Sequence, residues 1–156
     1  VDGHDVALEE LHAARKLANE ILNVRAAMMA NMLSGEMLID MTDFEAAETH
    51  LQDAIRIARS LSNRRMELYC LYELSRRALG LGQSDKAIEI LDQAIAIGRE
   101  TGINFHGPRL FALNAVLRKD PEVCRQSPWR KGRLWWPKAR TPIMSCGFIA
   151  MQSMPV

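Results

Sequence analysis

The side chains with reactive potential are few and scattered. Histidines stand at 4, 12, 50 and 106, and cysteines at 70, 124 and 146. Zinc or dithiol chemistry needs ligands that meet, as in H-E-x-x-H or C-x-x-C, and neither pattern occurs. The expected roles are surface or interface histidines and reduced thiols, with Cys70 as a small helix filler. Serine, cysteine and lysine nucleophiles have no neighbouring base that sequence identifies, and no G-x-x-x-x-G-K-[ST] loop cradles a phosphate. No catalytic residue, cofactor or metal is expected, and the chain reads as a non-enzyme.

One segment offers a different chemistry. RKGRLWWPKAR, Arg130–Arg140, interleaves cations with tryptophans, a combination that can grip nucleic acid by phosphate contact and base stacking. It could also sit at a membrane interface, but Trp-Trp-Pro cannot continue a helix and no amphipathic face can be drawn. The segment lies in a region unlike the rest. Residues 1–122 hold all 19 acidic residues, whereas residues 123–156 hold six basic residues, no acid and four of the six prolines. A shifted reading frame explains that break: read from the last base of the Arg125 codon, GC-rich codons give an open frame with helical periodicity and acids, in which Trp135 and Trp136 must yield valine. The expected division is therefore a helical repeat domain over 1–122 and an irregular, frameshifted basic tail over 123–156. Nucleic acid is then not the expected partner. Were the tail a nucleic-acid grip, binding would be steeply salt-dependent and lost on truncation after Glu122.

The body of the chain must supply whatever positions a functional surface. Hydrophobic content of 48% and charged content of 25% are globular values. No apolar run is long enough to span a bilayer, and VDGHDVALEEL has neither a basic start nor an apolar core, so a cytoplasmic location is expected. Shifted by 40 residues, the sequence superposes three times: Ala7, Ala47 and Ala87; Leu11, Leu51 and Leu91; Ala14, Ala54 and Ala94; Leu17, Ile57 and Ile97. Their spacing is one stripe of a helix, which predicts three equivalent helices near 6–22, 44–61 and 84–101. Two more helices, 24–39 and 64–79, are equivalent at the same shift, with Gly35 matching Ser75. A small residue there lets a neighbouring helix approach closely. Glycines in LGLGQSDKA stop one helix and Ser84 or Asp85 caps the next; Thr42 or Asp43 has the same role in IDMTDFEA. Gly102 closes a further helix and Pro108 lies in the first turn of another.

The unit so defined, with its A-x-x-x-L-x-x-A core as in AIEILDQA, resembles the tetratricopeptide repeat. The resemblance covers residues 6 to about 117, with a period of 40 in place of 34 and poorly kept aromatic positions. It implies an all-α fold, an open right-handed stack of about three antiparallel helix pairs. A narrower likeness is carried by GRETGINFHGPRLFALNAVLRKDPEVCR, through Gly102, Phe105, Gly107, Pro108, Arg109, Asp120 and Pro121. It resembles the C-terminal region of bacterial proteins that join an adenylate/guanylate cyclase domain, or a related signalling head, to an ATPase and a tetratricopeptide tail. That likeness implies a scaffolding fragment of such a protein. The alternative is an effector-binding repeat domain of a transcription activator.

In stacked pairs of the tetratricopeptide kind, the first helix of each pair lines a concave groove. The resemblance implies that Tyr69, Tyr72 and Arg76 project into it, with Met29, Met32 and Glu36 as equivalents one repeat earlier. Methionine and tyrosine are adaptable contact residues, and Arg76 and Arg77 could pair with an acidic partner. The run MMANM reads equally well as filling between repeats. The expected partner is a protein or peptide, or another domain of the parent protein, and uncovered apolar faces at the ends of the array carry a risk of self-association.

Overall fold

A computed structural model describes residues 3–102 and 107–118. The residues of the narrower likeness at 105, 120 and 121, together with the whole tail 123–156, lie outside the described residues. Five helices form one unit: α1 (Gly3–Glu20), α2 (Val24–Asp40), α3 (Phe44–Ser60), α4 (Arg64–Gly80) and α5 (Ser84–Thr101). The sixth, α6 (Gly107–Arg118), belongs to a second unit; it begins one residue ahead of Pro108, and Arg118 Nε donates to Asn114 Oδ1 one turn back at 2.8 Å. Among the described residues the structure is all helix, and no helix is long and apolar enough to cross a membrane.

The helices of the first unit are joined by four three-residue turns of one kind, and from α2 onward each helix starts 20 residues after the last. The backbone N–H of residues 23, 43, 63 and 83 donates to the carbonyl of residues 18, 38, 58 and 78 at 2.8 to 2.9 Å. The residue before each donor adopts a left-handed conformation: Leu22 (φ 54°), Thr42 (64°), Ser62 (51°) and Gly82 (74°). This is the Schellman closure, and the residue that completes it is at once the N-cap of the next helix. Asn23, Asp43 and Asn63 accept a hydrogen bond from the N–H three residues on. Asp43, not Thr42, is thus the cap. The expected cap at Ser84 or Asp85 is corrected to Gln83, which makes no side-chain cap bond; the fixed turn length outweighs the better capping chemistry of Ser84, which becomes the first helical residue.

Only glycine adopts the left-handed region without a Cβ penalty, and the β-branched Thr42 bears it worst. Thr42→Gly is therefore expected to stabilise the unit by about 1 kcal/mol, and Gly82→Thr to cost a similar amount. Urea midpoints with an unchanged m-value check both. A midpoint that falls for Thr42→Gly would contradict this account of the turn.

The stripe predicted from the repeat is the core. Ala47, Leu51, Ala54 and Ala58 of α3, and Ala87, Leu91 and Ala94 of α5, are all fully buried. From α1 to α5 each helix packs on the next in sequence, and α2 also packs on α4. The match of Gly35 to Ser75 has the expected meaning at α2 and α3: a Cβ placed on Gly35 would come within 2.5 Å of Leu51 Cγ. Gly80 does the same for the Phe44 ring, where a Cβ would lie 2.5 Å from Cζ. Gly80 is thus the last residue of α4 and a contact, while Gly82 makes the turn.

Candidate functional site

The seam between α2 and α4 gathers most of the polar side chains that the groove reading singled out. Tyr69 Oη donates to Glu36 Oε2 at 2.6 Å. Arg76 reaches in two directions, with Nη1 on Glu73 Oε2 and Nη2 on Asp40 Oδ1, both at 2.7 Å. Glu36, Tyr69 and Arg76 are thereby brought together with two residues that sequence reasoning missed, Asp40 and Glu73. The signal for Asp40 was present: it stands 36 residues before Arg76, one helical turn short of the repeat period, so it lies one turn along the neighbouring equivalent helix. The remaining groove residues separate by depth. Met32, Tyr69 and Tyr72 are buried, Glu36 and Arg76 are half-buried, and Met29 is exposed. In the methionine run, Met28 and Met32 lie in the buried layer and Met29 outside it.

The charges of this seam are largely paired within the unit. Arg76 and Arg77, which by type could pair with an acidic partner, both have their guanidinium groups engaged within the unit. Arg76 holds Glu73 and Asp40, while Arg77 donates from Nε to the Phe44 carbonyl at 2.6 Å and pairs with Glu48. Two carboxylates, Asp40 and Glu73, hold one arginine, and Glu36 adds its charge near Glu73. Glu73 is fully buried with Oε1 lacking a hydrogen-bond partner. Burial pushes its carboxyl up to about 7 against the pull of Arg76, and the charges of Glu36 and Asp40 push the same way. A second buried acid, Glu67, behaves oppositely. Burial alone would raise it, but hydrogen bonds from Arg59 at 2.8 Å and Arg64 at 2.6 Å outweigh that and hold it below the ordinary range. Arg64 continues to Glu100 of α5 at 2.8 Å, so one chain of charges ties α3, α4 and α5.

His12, His50 and Cys70 occupy structural places. His50 of α3 stacks on His12 of α1 with ring centroids 5.5 Å apart, and its Nδ1 lies 3.1 Å from Asn31 Oδ1, which also accepts from Arg15. Burial, then the charges of Arg15 and His12, lower the His50 pKa, so this junction favours a neutral ring. No group of three potential ligands able to hold a metal occurs among the described residues. Burial pushes the Cys70 thiol up to about 12, far from the thiolate that nucleophilic chemistry requires.

Helical hairpins of near-constant length packed in sequence, with α2 also meeting its equivalent α4, define a helical-repeat solenoid. The family model for the tetratricopeptide repeat matches residues 25–100, which span α2 to α5, and this stretch is a tetratricopeptide-repeat region. No curated protein and no solved structure matches the chain.

Proposed function

We propose that the chain is a non-catalytic protein-interaction and scaffolding module, whose partner is a protein, a peptide or another domain of its parent. Tetratricopeptide repeats generally mediate protein–protein interaction, and the match over residues 25–100 is the observation that carries this reading. The α2 and α4 helices present the contact surface, with Met29 as its exposed apolar anchor and Glu36 and Asp40 beside it. Because Arg76 and Arg77 are already paired, the fitting partner segment is apolar or basic, not acidic.

The narrower sequence likeness assigns the parent to proteins that join an adenylate/guanylate cyclase or related head to an ATPase. In the same proposal the repeat domain spans 1–122, the tail 123–156 comes from a shifted frame, and the protein works in the cytoplasm. Sequencing the encoding DNA upstream of Val1 and across the codon of Arg125 tests this directly. An upstream frame encoding such a head, with an extra or missing base near Arg125, is the expected result. That head, expressed alone, should bind the chain in calorimetry, and Met29→Glu should weaken binding by about tenfold or more. An upstream region without a signalling head would remove the parent assignment, and a head that binds wild type and Met29→Glu equally would remove the groove.

A further inference from the structure

The 40-residue repeat places the same stripe on α1, α3 and α5, but its burial is not the same. Ala47, Leu51 and Ala54 of α3 and Ala87, Leu91 and Ala94 of α5 are fully buried. Their counterparts on α1 are not: Ala7 and Leu11 are half-buried and Ala14 is exposed. One turn further, Leu17 is 56% exposed, whereas its counterpart Ile97 is 5% exposed. Side-chain chemistry is unchanged along the stripe, so the difference lies in what covers it.

The two covered copies show what the cover is. On α3 it is α2, which sets Gly35 over Leu51 so closely that a Cβ would lie 2.5 Å from Leu51 Cγ. On α5 it is α4, which carries the equivalent Ser75, also fully buried. α2 shows the same incompleteness as α1. Leu33 is 39% exposed, while its counterpart on α4, Glu73, is fully buried in the α2–α4 seam. The uncovered parts of α1 and α2 are continuous with the interface these helices already share, and they are the two surfaces that the next helix in the stack would touch.

We propose that this face is a docking surface for one further α-helix of the α2 and α4 kind, supplied from outside residues 1–156. The occupant's chemistry is set by the two internal examples. It carries glycine or serine where it crosses Leu11, as Gly35 does at Leu51 and as its counterpart Ser75 stands at the same register position on α4. Three residues later it carries an apolar residue, as Leu38 and Ala78 do, and seven earlier a long apolar one, as Met28 and Leu68 do. A charged or wide residue at the crossing is excluded by the same closeness that excludes a Cβ from Gly35. Met29 lies one turn before Leu33 on α2 and borders this surface, but the uncovered stripe of α1 carries the proposal, which stands whether or not the groove reading holds.

The test uses the full chain with Cys124→Ser and Cys146→Ser, in which Ala14→Cys is alkylated while buried Cys70 reports that the fold is intact. The same chain is then made with a second copy of residues 24–43 joined directly ahead of His4. The repeat keeps that join in register, because residue 4 is the counterpart of residue 44. Alkylation at position 14 is expected to slow by about tenfold or more with the added helix, and to recover when only the added copy carries Gly35→Leu. Equal rates with and without the added helix overturn the proposal. That includes the case in which the copy stays unfolded, since a helix this short needs a face to fold on. Sedimentation of the unaltered chain decides the occupant: a monomer is expected, while a dimer split by Leu17→Glu would show that a second copy covers α1 and would overturn it.

Discussion

Gly35→Leu should unfold the first unit under conditions where wild type is intact, because the α2–α3 crossing has no room for a side chain. A Cβ alone would lie 2.5 and 2.7 Å from Leu51 Cγ and Cδ2 and 3.4 Å from the Ala47 carbonyl oxygen. Leu51 is fully buried and cannot swing away. Overpacking of this kind costs about 1–3 kcal/mol per added group and more for a whole leucine, against a total stability on the order of 5–15 kcal/mol for a domain. Gly35→Ala sets two effects against each other. Helix propensity favours alanine by about 1 kcal/mol, and the clash opposes it by about 1–3 kcal/mol, so a modest net loss is expected. Gly35→Ser should be milder than Gly35→Leu, since Ser75 fills the same place one repeat on, with its hydroxyl donating to the Tyr72 carbonyl. The deciding measurement is a double-mutant cycle in urea. Leu51→Ala alone should cost about 2–5 kcal/mol, and Gly35→Ala should become neutral or stabilising in that background. Additive effects would mean that the two residues do not share the space.

The architecture was legible because one signal dominated it. A stripe of alanine and leucine repeated at 40 residues fixes which helices are equivalent and which face each buries, and the closeness at Gly35 follows from residue size alone. Boundaries fell within a few residues for the same reason. The turns were less legible. Leu22, Thr42 and Ser62 are not residues that announce a left-handed backbone, and they adopt it because the 20-residue spacing demands the same turn each time. Gln83 is a poor cap beside Ser84, and the uniform geometry overrode local preference there too. The polar seam was hardest to read. The groove residues were placed by analogy with a repeat family. Whether Arg76 faces a partner or a neighbour depends on how α2 lies along α4, and no residue type encodes that lie. Asp40 turned an arginine that looked available into one that is spoken for.

That engagement makes Arg76→Met the second large expected loss, and its pH dependence separates it from a packing defect. Removing the guanidinium leaves Glu73 fully buried with no cation, beside Glu36 and Asp40. Breaking a buried pair in this way costs about 3–5 kcal/mol where the acid is ionised. In wild type the Glu73 carboxyl is already raised to about 7 by burial, from an ordinary value of 4.5. A raised acid binds its proton more tightly folded than unfolded. Its stabilising contribution is thus complete below about 4.5 and is lost as pH rises through about 7. In Arg76→Met the carboxyl rises further, so the difference from wild type should be small near pH 5 and grow to its full size near pH 8. Glu73→Gln removes the ionisation while Arg76 keeps Asp40. It should match or exceed wild type at pH 8 and flatten the slope that Glu73 gives between 4.5 and 7. Urea midpoints at pH 5, 6.5 and 8 for the three proteins provide the check. If Arg76→Met loses as much at pH 5 as at pH 8, its role is packing along α2. If Glu73→Gln keeps the wild-type slope, the buried proton belongs elsewhere.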